Sequence, residues 1–293
     1  MDISMTLPQR AYEGEELHRW ARAVEDGPFA SLSIGERVAY DDHDPLVVQS
    51  MIAALTSRIR LVTGVVVLTL RNATMFAKEC ASLDRLSGGR FVLGIGVGPR
   101  QQDFDATGAS WGDRGRRFEE QLAVMKRVWQ GRPPFEGTEP VGPAPSRAGG
   151  PEIHIGGFAD VALRRAGRLA DGLRSFDFAP EVEIHQGRYA IASEAWRDAG
   201  RTGRLRLIAS TYFALGPDAQ EVYERSMREY YGYEDAMLAW SLDQRALTTP
   251  EAIVDAIRRF EDAGVDEMGF ATPAHHGVEA VERLAEVVAR ALP

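Results

Sequence analysis

Short runs rich in β-branched residues alternate with longer stretches of helical spacing along the whole 293-residue chain. That alternation specifies a parallel sheet whose successive strands are joined by helices. The strand candidates are residues 2–7, 30–34, 59–67, 90–95, 152–155, 173–176, 205–212 and 265–270. The helical stretches between and after them are residues 13–25, 45–56, 72–86, 113–130, 159–170, 181–199, 250–263 and 278–291. An open, doubly wound sheet would show the same alternation, but eight strands each followed by a helix is the count of a closed barrel. The expected fold is therefore α/β, a single (β/α)8 TIM barrel spanning residues 1–293. Asp44-Pro45 and Thr249-Pro250 place a capping side chain before a proline at the first helical position, and Gly200 and Gly264 stand where helices end.

Two segments exceed a minimal barrel. Residues 131–150 are dense in proline and glycine and read as an extended surface loop. Residues 217–247 carry Tyr223, Tyr230, Tyr231, Tyr233 and Trp240 and read as a helical insertion after strand 7. Neither has strands from which to build a second core.

Lys and Arg total 34 against 43 for Asp and Glu, a net charge of −9, the wrong sign for gripping a nucleic-acid backbone. The longest apolar run, residues 59–70, contains Arg60, Thr63 and Gly64 and falls short of a membrane span. The first residues are broken by Pro8 and by Glu13, Glu15 and Glu16, unlike an export signal. The single Cys80 can form neither an intramolecular disulfide nor a cysteine-rich metal site, so a reducing cytoplasm is the expected setting.

In a barrel of this kind, chemistry belongs to the loops leaving the C-terminal ends of the strands. After strand 4 come Gly96, Gly98 and Arg100, where bare amides and a guanidinium could meet an anion, or where the chain simply turns tightly. After strand 5, Gly156 and Gly157 precede a helix whose free N–H groups attract phosphate or carboxylate. Gly64 interrupts strand 3, marking a bulge, a close ligand approach or a crowded interior. The exit of that strand presents Arg71 and Asn72. The loop after strand 2 gathers Glu36, Asp41, Asp42, His43 and Asp44, making His43 and Glu36 the candidate proton-transfer residues, with a solvated loop histidine as the alternative. His154 reads as a core side chain. His275 and His276 lack a third ligand at useful spacing, so no metal is expected. No GxSxG elbow or kinase motif set is present.

The block from Thr63 to Gly98, TGVVVLTLRNATMFAKECASLDRLSGGRFVLGIGVG, with the later IHIGG and ALRRAGRLADG, resembles the luciferase-like monooxygenase superfamily over essentially the whole chain. The resemblance implies an FMN- or F420-dependent oxidoreductase acting on a small organic substrate. It implies a ring cofactor in the barrel mouth, backed by a bulge in strand 3 with a non-prolyl cis peptide, by position Gly64–Val65. The cofactor tail would lie near Gly96, Gly98, Gly156 and Gly157. Bacterial luciferase has an arginine where this chain has Val97, with Arg100 nearby instead. Arg71-Asn72 and the glycine pair at 156–157 favour the deazaflavin branch, so coenzyme F420 is preferred over FMN. Reduced FMN can activate oxygen, which calls for a partner flavin reductase, whereas a deazaflavin only moves hydride. Homodimerisation, through the apolar helix at residues 75–86, follows by analogy. The segment Tyr230 to Trp240 would wall the substrate. A flavin-binding protein without turnover is the alternative within the same fold, and a sugar-phosphate barrel enzyme is a third reading.

Overall fold

The structure is a computed structural model that describes residues 1–244 and 246–291. Its elements follow the expected alternation: β1 Asp2–Thr6, α1 Gly14–Asp26, β2 Ser31–Ile34, α2 Pro45–Leu55, β3 Arg60–Thr63, β4 Val66–Val67, α3 Ala73–Leu86, β5 Phe91–Gly96, α4 Gln101–Thr107 and α5 Arg114–Trp129. The second half continues with β6 Glu152–Gly156, α6 Asp160–Leu169, β7 Gly172–Phe176, α7 Val182–Asp198, β8 Arg206–Tyr212, α8 Ala219–Tyr231, α9 Asp235–Asp243, α10 Pro250–Asp262, β9 Glu267–Ala271 and α11 Glu279–Ala291. All strand pairings are parallel, and the order β3-β2-β1-β9-β8-β7-β6-β5-β4 is closed into a barrel by a β3–β5 pairing. Segments β3 and β4 together make the third stave, so β8 is the seventh. No helix among the described residues is long and apolar enough to cross a membrane.

The helices lie where their apolar stripes dictate. In α1, Leu17, Trp20, Ala21 and Val24 are buried at i, i+3, i+4 and i+7, while Glu15 and Glu16 occupy the first turn. Asp44 caps α2, accepting from the N–H groups of Leu46 at 2.9 Å and Val47 at 3.1 Å, and Thr249 caps α10 through Ala252. The insertion after the seventh stave is helical, α8 and α9. Residues 131–150 form an irregular loop, tied down where Lys78 donates to the Gly142 carbonyl and Ser146 donates its N–H to Asp84. Sequence periodicity missed the short helix α4.

The third stave departs most from expectation. Instead of one strand over residues 59–67, pairing with β5 runs through Leu61–Phe91 and Val62–Val92, lapses, and resumes at Val66–Ile95 and Val67–Gly96. The peptide between Gly64 and Val65 is cis, as the family resemblance implied. A 3₁₀ turn, Leu68–Leu70, follows. Where the ladder lapses, a side chain replaces it. The Thr63 hydroxyl donates to the Gly94 carbonyl at 2.8 Å and accepts from the Gly94 N–H at 2.8 Å, so both buried backbone groups stay paired. This works only because residue 94 has no side chain: a Cβ there would lie 1.8 Å from the Thr63 carbonyl oxygen.

The motif residue Arg90 has a structural role. Its guanidinium donates to the carbonyls of Ala53, Thr56 and Ile59, fastening the end of α2 to the start of β3. Gly88 and Gly89 have φ of 71° and 82°, a left-handed reversal that non-glycine residues resist.

Replacing Gly94 by Ala should lower stability by about 3 kcal/mol, the range of severe overpacking. Gly187 lies in the exposed interior of α7, where a Cβ meets nothing within 4 Å; Gly187→Ala should raise stability by about 0.5–1 kcal/mol. Urea unfolding of both variants tests the contrast, and equal effects would contradict it.

Candidate active site

A cavity of about 660 Å³ opens at the C-terminal ends of the strands. Its lining has three sectors: a glycine-rich ridge, a cationic rim and an aromatic wall.

The ridge is Gly64–Val65, standing against the ends of β5 and β6. A Cβ on Gly96 would lie 3.0 Å from one Val65 methyl carbon, and a Cβ on Gly156 would lie 3.1 Å from the other. These two glycines therefore form a slot for the Val65 side chain, which is a different reason for glycine than the expected approach of an anion. Gly98 has φ of 89°, and a Cβ there would stand 2.6 Å from Val67. Gly157 faces Ala162, 2.5 Å from its own absent Cβ. Seven of the eight expected cofactor-contact residues, Gly64, Val65, Gly96, Gly98, Arg100, Gly156 and Gly157, line this cavity.

Asn72 does not line it. Its side chain caps α3, accepting from Met75 N–H at 3.1 Å, and the helix-capping preference of Asn accounts for the residue. His43 is also outside the lining. Its Nε2 lies 2.9 Å from both the backbone N and the carbonyl oxygen of Tyr12, so it braces a loop rather than facing a reacting group. Glu36 does line the cavity, but both carboxylate oxygens are engaged. One pairs with Arg71, and the other accepts from Val67 N–H at 2.6 Å. Burial pushes the Glu36 carboxyl up, against the pull of Arg71. Glu36 and Arg71, which also meets Asp44 at 2.9 Å, lash the segment beyond the ridge to the loop after β2.

The cationic rim comes from residues that sequence reading largely missed. Arg100 Nε and Arg114 Nε are buried without a hydrogen-bond partner, while Arg100 Nη2 lies 3.7 Å from the Asp103 carboxylate, which also lines the cavity. Arg165 bridges two helices, donating to Glu119 at 3.0 Å, and lines the cavity. The first turn of α6 has no capping side chain at Ala159, and Gly157, Phe158, Ala159 and Val161 line the cavity there. Bare helix amides and incompletely satisfied guanidinium groups suit an anionic group. The available signal was Arg165 itself, on the same helical face as Ala162, one turn inside the helix after the glycine pair.

The aromatic wall is built by Phe176, Phe178 and Tyr212 from the barrel with Tyr231 and Met237 from the insertion. Tyr212 stacks on Phe178 at 6.0 Å, Tyr231 meets Phe178 edge-on at 5.0 Å, and the Tyr212 and Tyr231 hydroxyls lie 3.4 Å apart. Burial pushes both phenols far above their ordinary range, so they stay neutral. Arg37 closes the corner, stacked against Tyr40, Tyr230 and Tyr233 at 4.1, 4.7 and 4.9 Å. His154 is a core residue paired with Glu152 at 2.7 Å, and His275 pairs with Glu229 at 2.6 Å.

Comparison with known proteins follows the same lines. The family model described as luciferase-like monooxygenase matches residues 2–291. The chain belongs to that family. A phthiodiolone/phenolphthiodiolone dimycocerosates ketoreductase of Mycobacterium tuberculosis is 34% identical over 160 residues, covering 50% of this chain and 40% of that protein. The chain thus spans less than two thirds of the length of the curated relatives it matches, 62% for an uncharacterised protein of the same organism. Among solved structures, monooxygenase RslO1 of Streptomyces bottropensis superposes with a TM-score of 0.79 at 21% identity, covering 100% of this chain and 98% of that one. The F420-dependent tetrahydromethanopterin reductase of Methanopyrus kandleri gives 0.76 at 20%, with both chains covered completely. The oxygenating constituent of 3,6-diketocamphane monooxygenase of Pseudomonas putida, solved with FMN, gives 0.74 at 17%, covering 99% and 98%. At these identities the likeness is one of fold.

One acidic group behind the cavity is tuned into the neutral range. Asp42 accepts from Gln9 at 2.8 Å. Burial, then Glu36, Asp103, Asp41 and Asp44, raise it from 3.8 to about 7. A carboxyl whose folded value is raised favours the folded state least when ionised, so stability is lost as pH rises from about 4 through 7 and is flat above. Asp42→Asn removes that loss and keeps an acceptor for Gln9. Its melting temperature relative to the wild type should climb between pH 4 and 7 and level off by pH 8; a difference constant with pH would refute the assignment.

Proposed function

We propose that this family member is an oxidoreductase that holds a flavin-type ring with an anionic tail in the barrel mouth, coenzyme F420 in preference to FMN, and acts on a neutral, largely apolar organic substrate. The carrying observation is the cationic rim: Arg100, Arg114 and Arg165 in one cavity with an uncapped helix start, the Nε atoms of Arg100 and Arg114 buried without a hydrogen-bond partner. Three arginines exceed what one phosphate monoester requires, and a longer polyanionic tail of the F420 kind uses them better. The donor set suits such a group, with Arg100, Arg114, Arg165 and the first turn of α6 holding the tail and Val65 backing the ring.

When bound, either cofactor supplies a two-electron hydride carrier, and FMN additionally supplies oxygen activation. This chain's own residues do the rest. Phe176, Phe178 and Met237 exclude water from the space beside the ring. The neutral Tyr212–Tyr231 pair offers a hydrogen-bond donor to a substrate oxygen at any physiological pH, a role open because Glu36 is fully engaged and His43 lies elsewhere. Under this reading the ketoreductase relative and the monooxygenase folds illustrate the two reaction types within reach.

Titration of the apoprotein with FMN and with F420 at equal concentration tests the proposal. Saturable binding with preference for F420 is expected, weakened at least tenfold, about 1.4 kcal/mol, by joint Arg114→Ala and Arg165→Ala substitution. Failure to bind either cofactor would overturn the reading, and preference for FMN would move the chemistry toward oxygen transfer.

A further inference from the structure

A guanidinium with too few partners sits at the base of the mouth. Arg174, in β7, is 9% exposed, and its Nη1 has no protein partner. Its side chain crosses beneath the third stave, with Cδ 3.3 Å from where a Cβ of Gly94 would lie and Nη2 3.4 Å from where a Cβ of Gly64 would lie. It lines the same cavity as the ridge.

The surrounding charges do not satisfy it. Glu267 is the carboxylate acting on it, yet Glu267 already accepts from Ser31 at 3.0 Å and pairs with Arg206 at 3.2 Å. Arg60 and Arg206 oppose the Arg174 charge, and burial weakens its hold on its proton further. An apolar side chain of equal length would fill the space without this cost. A cation held at such a place is matched only when something in the cavity supplies an acceptor. Glycines at 64 and 94 keep side chains away from the guanidinium where it passes beneath the third stave.

We propose that Arg174 is the counter-charge for the negative charge that the bound ring acquires on reduction, and so sets the ring's affinity in the reduced form. This rests on the ring-cofactor reading above. Uptake of one hydride, two electrons and a proton, from an organic C–H donor leaves a neutral ring one unit more negative. That charge concentrates on the ring's acceptor-rich pyrimidine edge, which a fixed guanidinium stabilises without reorganisation. Arg174 thereby favours the reduced ring over the oxidised one.

The test uses whichever of FMN and F420 the wild type binds, with the potential of the bound cofactor read by equilibration against redox dyes. Arg174→Met should bind the oxidised cofactor within about twofold of wild type but the reduced cofactor at least tenfold more weakly, a potential lower by about 30 mV for a two-electron couple. The melting temperature of the empty variant against the empty wild type checks that it folds. Arg174→Gln, neutral but polar, carries the same expectation if the Met variant does not fold. An unchanged potential in a variant that binds, or equal weakening of both redox forms, overturns the inference and leaves the cofactor reading intact. A wild type that binds neither cofactor removes that reading and this inference with it.

Discussion

A threonine hydroxyl and a missing side chain hold the mouth of this barrel in shape. Between Val62 and Val66 the third stave abandons its ladder with β5, and Thr63 restores both hydrogen bonds of Gly94 through one hydroxyl. Two buried backbone groups left unpaired would cost about 1–3 kcal/mol each, so the lapse is tolerable only with this substitute. The lapse in turn frees Gly64 and Val65 to stand away from the wall. Val65 then drops its two methyl groups into the gaps at Gly96 and Gly156, which fixes the ridge between two further staves. Three glycines on two strands thus serve one local geometry, and a side chain at any of them would displace the ridge.

Charge is distributed with similar economy. Below the ridge, Ser31, Arg206 and Glu267 knit the interior, and the Glu267 carboxyl is held below its usual range by Arg174, His154 and Arg206 despite its burial. Beyond the ridge, Glu36 and Arg71 neutralise one another as they lash two loops together. What these pairs leave over is positive: Arg100, Arg114 and Arg174 each keep a buried nitrogen unmatched. In a chain of net charge −9, an excess of buried cationic donors in one cavity is a local construction rather than a consequence of composition.

Legibility from sequence follows the range of the interactions involved. The eight-fold alternation is local, and the barrel with its insertion after the seventh stave was readable from it. The glycines at 64, 96, 98, 156 and 157 were readable as positions but not as reasons: that Gly96 and Gly156 receive Val65 depends on contacts between separate staves. Asn72 and His43 misled because a polar residue on a rim loop serves a helix cap or a loop brace as readily as a ligand. Arg114, Arg165 and Arg174 escaped notice for the opposite reason. Arginine on a helix or strand ordinarily reads as surface, and only the folded chain reveals that their guanidinium groups line a cavity.

The insertion α8–α9 gives the mouth its second character. A barrel rim built from strand ends alone would leave the cavity open to water on one side. Tyr230, Tyr231 and Met237 line that side, Tyr223 anchors α8 to α9 through the Ser241 carbonyl at 2.7 Å, and Arg37 donates to the Tyr230 carbonyl from the loop after β2. The fastening is therefore made to the same loop whose Glu36 steadies the ridge, so the aromatic wall and the ridge share one foundation. A cofactor lying across this mouth would have its charged end among arginines and its reactive face toward aromatic carbon. Such a division suits hydride or oxygen transfer to an apolar molecule, because the tail contributes binding energy in the polar half while the reacting atoms meet in the dry one.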